Sequence, residues 1–175
     1  MIINETLREK ARHISLLLTD CDGVLTDGGV YYSDQGEVLK RFSLRDGMGV
    51  ERLRDLAHVE VGIITGEHSA SVQRRAEKLR ISELHLGVKS KIAIFEHILT
   101  GHHLKPCQAA YIGDDTNDLA LLQAVGLSAC PADAFSLVAQ LADYVCHSPG
   151  GHGAFREFAE LIIAAKSGAE AFQNS

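Results

Sequence analysis

Leu16-Leu17-Leu18-Thr19-Asp20-Cys21-Asp22-Gly23-Val24-Leu25-Thr26-Asp27-Gly28 is the stretch that decides how this chain is read. An apolar run stops at two carboxylates one residue apart, and a glycine follows. Continuous apolar runs mark strands buried on both faces of a parallel sheet. Groups that do chemistry in such sheets lie just beyond the strand's carboxyl end. Two acids at that point repel and resist ionising together unless a cation or a proton separates them. The stretch therefore predicts that Asp20 and Asp22 hold a divalent metal and that one of them attacks a substrate.

Working outward, the chain alternates strands and helices. A helix is predicted over Asn4–Arg12 with Asn4 as its N-cap, then the first strand over Ile14–Thr19. Tyr, Val and Phe alternate with polar residues in Gly29–Ser33 and Val38–Ser43, around Asp34-Gln35-Gly36, which predicts a β-hairpin. Asp46 is placed as cap of a helix from Gly47 to Ala57 with a stripe of Val50, Leu53 and Leu56. Strands follow at Val59–Thr65, Leu84–Leu86, Ala109–Ile112, Leu127–Ala129 and Tyr144–Cys146. Helices are predicted at Ser69–Leu79, Lys89–Leu99, Leu119–Ala124, Asp133–Leu141 and Ala154–Lys166. In the Lys89–Leu99 helix the apolar stripe leaves Lys91 nearer the exposed face. The last nine residues read as frayed or taken up by a partner. This alternation with short links means an α/β fold: a doubly wound, Rossmann-like parallel sheet in one domain spanning 1–175, with a hairpin flap at about 29–43.

Composition narrows the function. The chain has 175 residues and a net charge of −6, which disfavours nucleic acid and anionic membrane as main partners. No apolar run approaches the length of a membrane span, and the N-terminus has no signal-peptide core. The four cysteines have no paired spacing, which points to reduced thiols in a cytoplasmic protein. The nine histidines show no metal spacing, so they are read as surface residues or helix ends.

The chemistry-bearing residues fall at element boundaries: Asp20 and Asp22 after the first strand, Thr65 after the second, Lys91 in a first helical turn, and Asp114, Asp115 and Asp118 after a later strand. Carboxylates for a metal, a hydroxyl and a cation suit phosphoryl transfer, where catalysis is mostly positioning and charge neutralisation. Asp20, closest to the strand end, is the candidate nucleophile. Asp22 is the candidate acid that protonates the leaving oxygen and then the base for water. Mg²⁺ prefers oxygen ligands, and Asp20, the backbone carbonyl of Asp22, and Asp114 can supply three. Thr65 with the amides after it, and Lys91, are candidates for the phosphoryl oxygens. Asp118 reads either as a group orienting Lys91 or metal waters, or as a helix N-cap.

Asp20-Cys21-Asp22-Gly23-Val24-Leu25-Thr26, Thr65-Gly66, Lys91 and Gly113-Asp114-Asp115-Thr116-Asn117-Asp118 resemble the four motifs of haloacid dehalogenase superfamily phosphatases. Asp27-Gly28-Gly29, Arg45-Asp46-Gly47-Met48-Gly49 and Gly150-Gly151-His152-Gly153-Ala154-Phe155-Arg156-Glu157 are similar to the capless branch that contains the 3-deoxy-D-manno-octulosonate 8-phosphate (KDO 8-phosphate) phosphatases. That resemblance implies a Mg²⁺-dependent, tetrameric, cytoplasmic enzyme of lipopolysaccharide sugar synthesis. It maps substrate contacts to Ser43, Leu44, Arg45, Asp46 and Gly47, and basic contacts to Arg75 and Lys91. One position departs: the octulosonate phosphatases usually carry Arg after Thr-Gly, and here it is Glu67. Glu at that place resembles phosphatases of nine-carbon sugar acid 9-phosphates. Arg would attract a sugar carboxylate, whereas Glu would repel it or bond to hydroxyls.

Spacing adds an inference of its own. About forty residues separate the first acids from Thr65, and the later gaps are about 25 each, all used by predicted elements. None is long enough for a cap domain, yet such a site benefits from excluding water. Val30, Tyr31, Tyr32, Val38, Leu39 and Phe42 make the hairpin too apolar to project alone into solvent. A homo-oligomer, by resemblance a tetramer, is therefore expected, with hairpins or C-termini walling neighbouring sites. Two other classes compete. A signalling receiver lacks the second acid of the Asp20-x-Asp22 pair, and a non-catalytic oligomerisation module should carry a damaged motif.

Overall fold

The computed structural model describes residues 5–168; the proposed Asn4 cap and seven of the C-terminal nine residues lie outside that range. Eight strands and seven α-helices alternate along the described residues: α1 (Glu5–Arg12), β1 (Leu16–Thr19), β2 (Thr26–Ser33), β3 (Gly36–Phe42), α2 (Leu44–Arg52), β4 (Glu60–Ile64), α3 (Ala70–Leu79), β5 (Glu83–His85), α4 (Lys91–His102), β6 (Ala109–Ile112), α5 (Leu119–Ala124), β7 (Leu127–Cys130), α6 (Ser136–Leu141), β8 (Tyr144–Val145) and α7 (Ala154–Ser167). Six strands form one parallel sheet in the order β5-β4-β1-β6-β7-β8. The remaining two, β2 and β3, pair antiparallel as a separate hairpin.

The order places β1 at the centre, where the winding reverses direction. Ligand crevices form outside the carboxyl ends of strands at such a switch point. Successive side chains of a strand point to opposite faces, and the core divides accordingly. Leu17 packs with Ile63, Phe155, Phe158 and Ile162 on one face. Leu16 and Leu18 pack with Phe95, Ile98, Tyr111 and Leu121 on the other. Both faces of β1, β6 and β7 are buried, which is why these strands read as unbroken apolar runs. This parallel sheet, with no cap domain among the described residues, is the architecture that the sequence predicts.

Several local expectations are corrected. Helix α2 begins at Leu44, and its N-cap is Ser43, whose hydroxyl accepts from the amides of Arg45 and Asp46. Asp46 instead sits inside the first turn. Its carboxylate accepts from the amides of Gly153 and Arg156 and so caps α7. The helix does not run on regularly to Ala57, because residues Leu53–Ala57 form a π-turn. The wider turn rotates Leu56 off the stripe, leaving it 55% exposed while Val50 and Leu53 are buried. Helix α4 starts at Lys91 rather than Lys89, and Lys91 is buried, not exposed. The hairpin is longer at its base than expected, because β2 starts at Thr26.

His58 and His103 end helices in the left-handed conformation. The four cysteines are free thiols, with only Cys107 exposed. Among the described residues no helix is long and apolar enough to cross a membrane.

Candidate active site

Asp20 leaves the end of β1 with its amide bonded to the Ile112 carbonyl of the adjacent β6, 3.0 Å away. Its Oδ1 accepts from the amide of Cys21, and its Oδ2 lies 2.9 Å from Lys91 Nζ. Lys91, at the start of α4, also meets Asp118 Oδ1 at 2.5 Å. The hydroxyl of Tyr111 accepts from Lys91 at 3.1 Å and donates to the same Asp118 oxygen at 2.6 Å. Asp118 uses its second oxygen for the amides of Asp114 and Asp115. It is fully buried, and both its oxygens are taken. It therefore holds Lys91 against Asp20 and shapes the Gly113–Asp115 loop at once.

Asp20, Asp114 and Asp118 each bring a carboxylate oxygen within 4.8 Å of the others, the one such group among the described residues. Burial pushes Asp20 up to about 6, against the pull of Lys91. Burial, and then the charge of Asp20, push Asp114 up to about 7. For Lys91, burial works against the charged form, but Asp20 and Asp118 outweigh it and hold the ammonium above its ordinary range. Asp114 Oδ1 is buried without a hydrogen-bond partner among the described residues. A buried acceptor left unmatched is costly, and a hard cation satisfies it. An all-oxygen donor set with such an orphan suits Mg²⁺.

The first-strand loop needs its glycine. Gly23 has φ +80°, and a β-carbon there would stand 2.1 Å from Asp114 Oδ2. The Gly150-Gly151 turn packs against the same loop. The Gly151 amide donates to the Val24 carbonyl at 2.8 Å, and a β-carbon on Gly150 would collide with the Gly23 carbonyl. The distant glycine-rich segment thus fixes the backbone between Asp22 and Thr26.

Asp22 is gripped at both oxygens. Its Oδ2 accepts from Lys40 Nζ at 2.5 Å, and its Oδ1 accepts from Thr26 Oγ1 at 3.2 Å. Thr65 follows β4, and its hydroxyl accepts from the Glu67 amide at 3.3 Å. Glu67 itself is exposed. Asp115 is exposed and caps the turn after β6 by accepting from the Thr116 amide.

The residues mapped as substrate contacts are divided. Arg45 is exposed, and Ser43 is half-buried with its hydroxyl committed to capping. Asp46 and Gly47 are buried. The Arg75 guanidinium donates to the Ser43 carbonyl at 2.8 Å and lies over the Phe42 ring. A β-carbon on Gly47 would stand 2.4 Å from that guanidinium, so the glycine leaves the room Arg75 occupies. Arg75 and Asp46 thus brace the base of the hairpin and α2.

Two site residues escaped the sequence reading. Tyr111 lies inside an apolar strand, where the available signal was that a buried phenol must find a partner. For Lys40 the signal was parity: it shares a strand face with Phe42, which packs on the core.

Residues 59–157 match the family model of haloacid dehalogenase-like hydrolases. The chain is 42% identical over 157 residues to the 3-deoxy-D-manno-octulosonate 8-phosphate phosphatase KdsC of Salmonella typhi, covering 90% of this chain and 83% of that one. It superposes on the Yersinia pestis 3-deoxy-D-manno-octulosonate 8-phosphate phosphatase with a TM-score of 0.91 at 38% identity, covering 97% of this chain and 93% of the other. The Moraxella catarrhalis phosphatase of the same name, in complex with magnesium ion, phosphate ion and KDO, superposes with a TM-score of 0.89 at 35% identity, over 95% of this chain and 94% of that one. The parallel sheet, the carboxylates at its switch point and these similarities together establish that the chain belongs to the haloacid dehalogenase-like hydrolases.

Proposed function

We propose that this protein is a Mg²⁺-dependent phosphatase that hydrolyses 3-deoxy-D-manno-octulosonate 8-phosphate to the free sugar acid and phosphate. The observation that carries the reading is Asp20, held by Lys91 at the end of the central strand beside Asp114, whose Oδ1 is buried without a partner among the described residues. The similarity to octulosonate phosphatases over nine-tenths of the chain supports the substrate.

In this reading Asp20 attacks phosphorus and forms an aspartyl-phosphate, so that one hard displacement becomes two easier ones. Asp22 protonates the departing sugar oxygen. It then takes a proton from the water that cleaves the intermediate and returns to its starting state. Lys91 and Thr65 neutralise and orient the phosphoryl oxygens. Asp20, Asp114 and the carbonyl of Asp22 would hold Mg²⁺, which when bound offsets charge on the phosphoryl group and between the carboxylates. Asp118 holds Lys91 in line, and Asp115 shapes the loop carrying Asp114. Ser43, Arg45, Asp46, Gly47 and Arg75 form the sugar-facing side, the buried members acting by bracing the exposed ones.

Glu67 favours a second reading, a nine-carbon sugar acid 9-phosphate as substrate. An exposed carboxylate beside Thr65 repels a sugar carboxylate and accepts from hydroxyls. Phosphate release from octulosonate 8-phosphate and nononate 9-phosphate side by side tests both. Faster turnover of the nononate, reversed by Glu67→Arg, would replace the first reading by the second. Repeated turnover also separates a phosphatase from a receiver that stays phosphorylated.

We further propose a single-domain cytoplasmic homotetramer closed by its hairpins. Tyr31, Tyr32, Val38 and Leu39 are exposed on the flap, at 61%, 69%, 54% and 47%. Sedimentation of a Tyr32→Glu, Leu39→Glu variant should give smaller species with impaired turnover; an active wild-type monomer would overturn this.

A further inference from the structure

Lys40 is a charged residue in a place where charge is costly. Its side chain is wholly buried, although it stands in a two-stranded hairpin whose neighbouring residues Leu39 and Arg41 are exposed. Removing an ammonium from water is unfavourable unless carboxylates meet it. Two do: Asp22 Oδ2 at 2.5 Å and Glu37 Oε2 at 3.7 Å. Glu37 is anchored in turn, because its Oε1 accepts from Ser69 Oγ at 2.5 Å. Ser69 is the N-cap of α3 and accepts from the Val72 amide. A relay of side chains therefore runs from the helix that follows Thr65, through the hairpin, to Asp22.

We infer that Lys40 is a positioning residue for the acid–base step, fixing the rotation of the Asp22 carboxyl group so that its O–H faces the leaving oxygen and, once that proton has gone, the freed lone pair faces the attacking water. This rests on the phosphatase reading above. The geometry is specific. With Thr26 on Oδ1 and Lys40 on Oδ2, the carboxylate cannot turn about its terminal bond without breaking a hydrogen bond. Each carboxylate oxygen has two lone-pair sites, so one remains on each for the travelling proton. Lys40 keeps its own protons throughout. The proton passes from Asp22 to the sugar oxygen, and a proton from water restores Asp22. Because Lys40 belongs to the hairpin, a flap displaced from the body would release Asp22, so acid–base competence depends on the flap being seated.

The test is a double-mutant cycle on Asp22→Asn and Lys40→Met, reading phosphate release from octulosonate 8-phosphate, or from whichever sugar phosphate turns over fastest. Lys40→Met alone should lower kcat about 10- to 100-fold, part of the roughly 10²- to 10⁴-fold that acid–base help supplies, with KM changed less than about threefold. In the Asp22→Asn background the same substitution should change kcat less than about threefold, because its target is already gone. Lys40→Arg should recover part of the loss. Equal losses in both backgrounds, or no loss in the wild type, would overturn the role of Lys40 alone. An Asp22→Asn variant as fast as wild type would overturn the acid–base reading itself. Should the Met variant fail to fold, Lys40→Gln takes its place in the cycle with the same outcomes.

Discussion

Gly23 lies so close to Asp114 that a β-carbon at position 23 would stand 2.1 Å from Asp114 Oδ2. The loop that carries the first pair of acids and the loop that carries the last are thus built against each other, with no room for a side chain between them. Gly23→Ala also meets a backbone at φ +80°, which only glycine adopts freely. The carboxylate must move, and with it a ligand. Mg²⁺ affinity, followed by calorimetry, should fall about 10- to 100-fold, as it does when the support of a metal ligand is disturbed. Unchanged affinity would show that Asp114 does not hold the ion.

The two acids of the opening stretch should fail differently. Asp20→Asn should lower turnover about 10⁶-fold, the order of loss seen when a nucleophile is removed, with circular dichroism and oligomeric state unchanged. Asp22→Asn should lower it about 10²- to 10⁴-fold. Activity retained in the first variant would reassign the nucleophile.

Lys91 neutralises two buried carboxylates, Asp20 and Asp118. Lys91→Met strands both, and breaking a buried pair costs about 3–5 kcal/mol. Chemical unfolding should show that loss, and turnover should vanish with it. Tyr111→Phe removes one hydroxyl from the same cluster and should cost about 1.5–3 kcal/mol, the worth of a hydrogen bond to a charged group, while leaving Asp20 in place. An equal cost for the two variants would mean that Lys91 is not the charge that balances the cluster.

Glu157 sets an acid limit on stability. Burial pushes its carboxyl up, but the amide of His147, the Tyr144 hydroxyl, the His147 ring and Ser148 outweigh it and hold it down to about 2. The folded form therefore prefers the carboxylate more than the unfolded chain does. That preference contributes fully above the ordinary glutamate range and is lost as pH falls from there toward about 2. Glu157→Gln should lower stability near neutrality by about 2 kcal/mol and flatten the acid limb of a stability–pH curve. A variant with the parent's acid limb would place the titrating group elsewhere.

The parallel sheet was legible because β1, β6 and β7 are buried on both faces and carry little but apolar residues. The acids were legible because each follows such a run. Lys91 was misplaced because helical periodicity records where apolar residues point, and a cation buried by ion pairs has no signature in it. Leu56 was misplaced because a π-turn changes the period within one turn. Asp46 looked like a cap, and it is one, but for a helix more than a hundred residues further on.

Sequence alone determined the order of elements and the reaction class, since burial patterning and strand-end residue types are local properties. It offered Asp20 and Asp22 for different roles, because Asp20 stands closer to the strand end than Asp22. Only the tertiary structure decided which groups enforce that difference. Lys91 and Asp118 reach Asp20 from the far ends of other elements, and Lys40 reaches Asp22 from a separate hairpin. Gly150, Gly151 and Gly23 matter through close approach rather than through any property of their neighbours in the chain. Such contacts depend on how the sheet is wound, and winding brings together residues whose separation in sequence carries no record of their meeting.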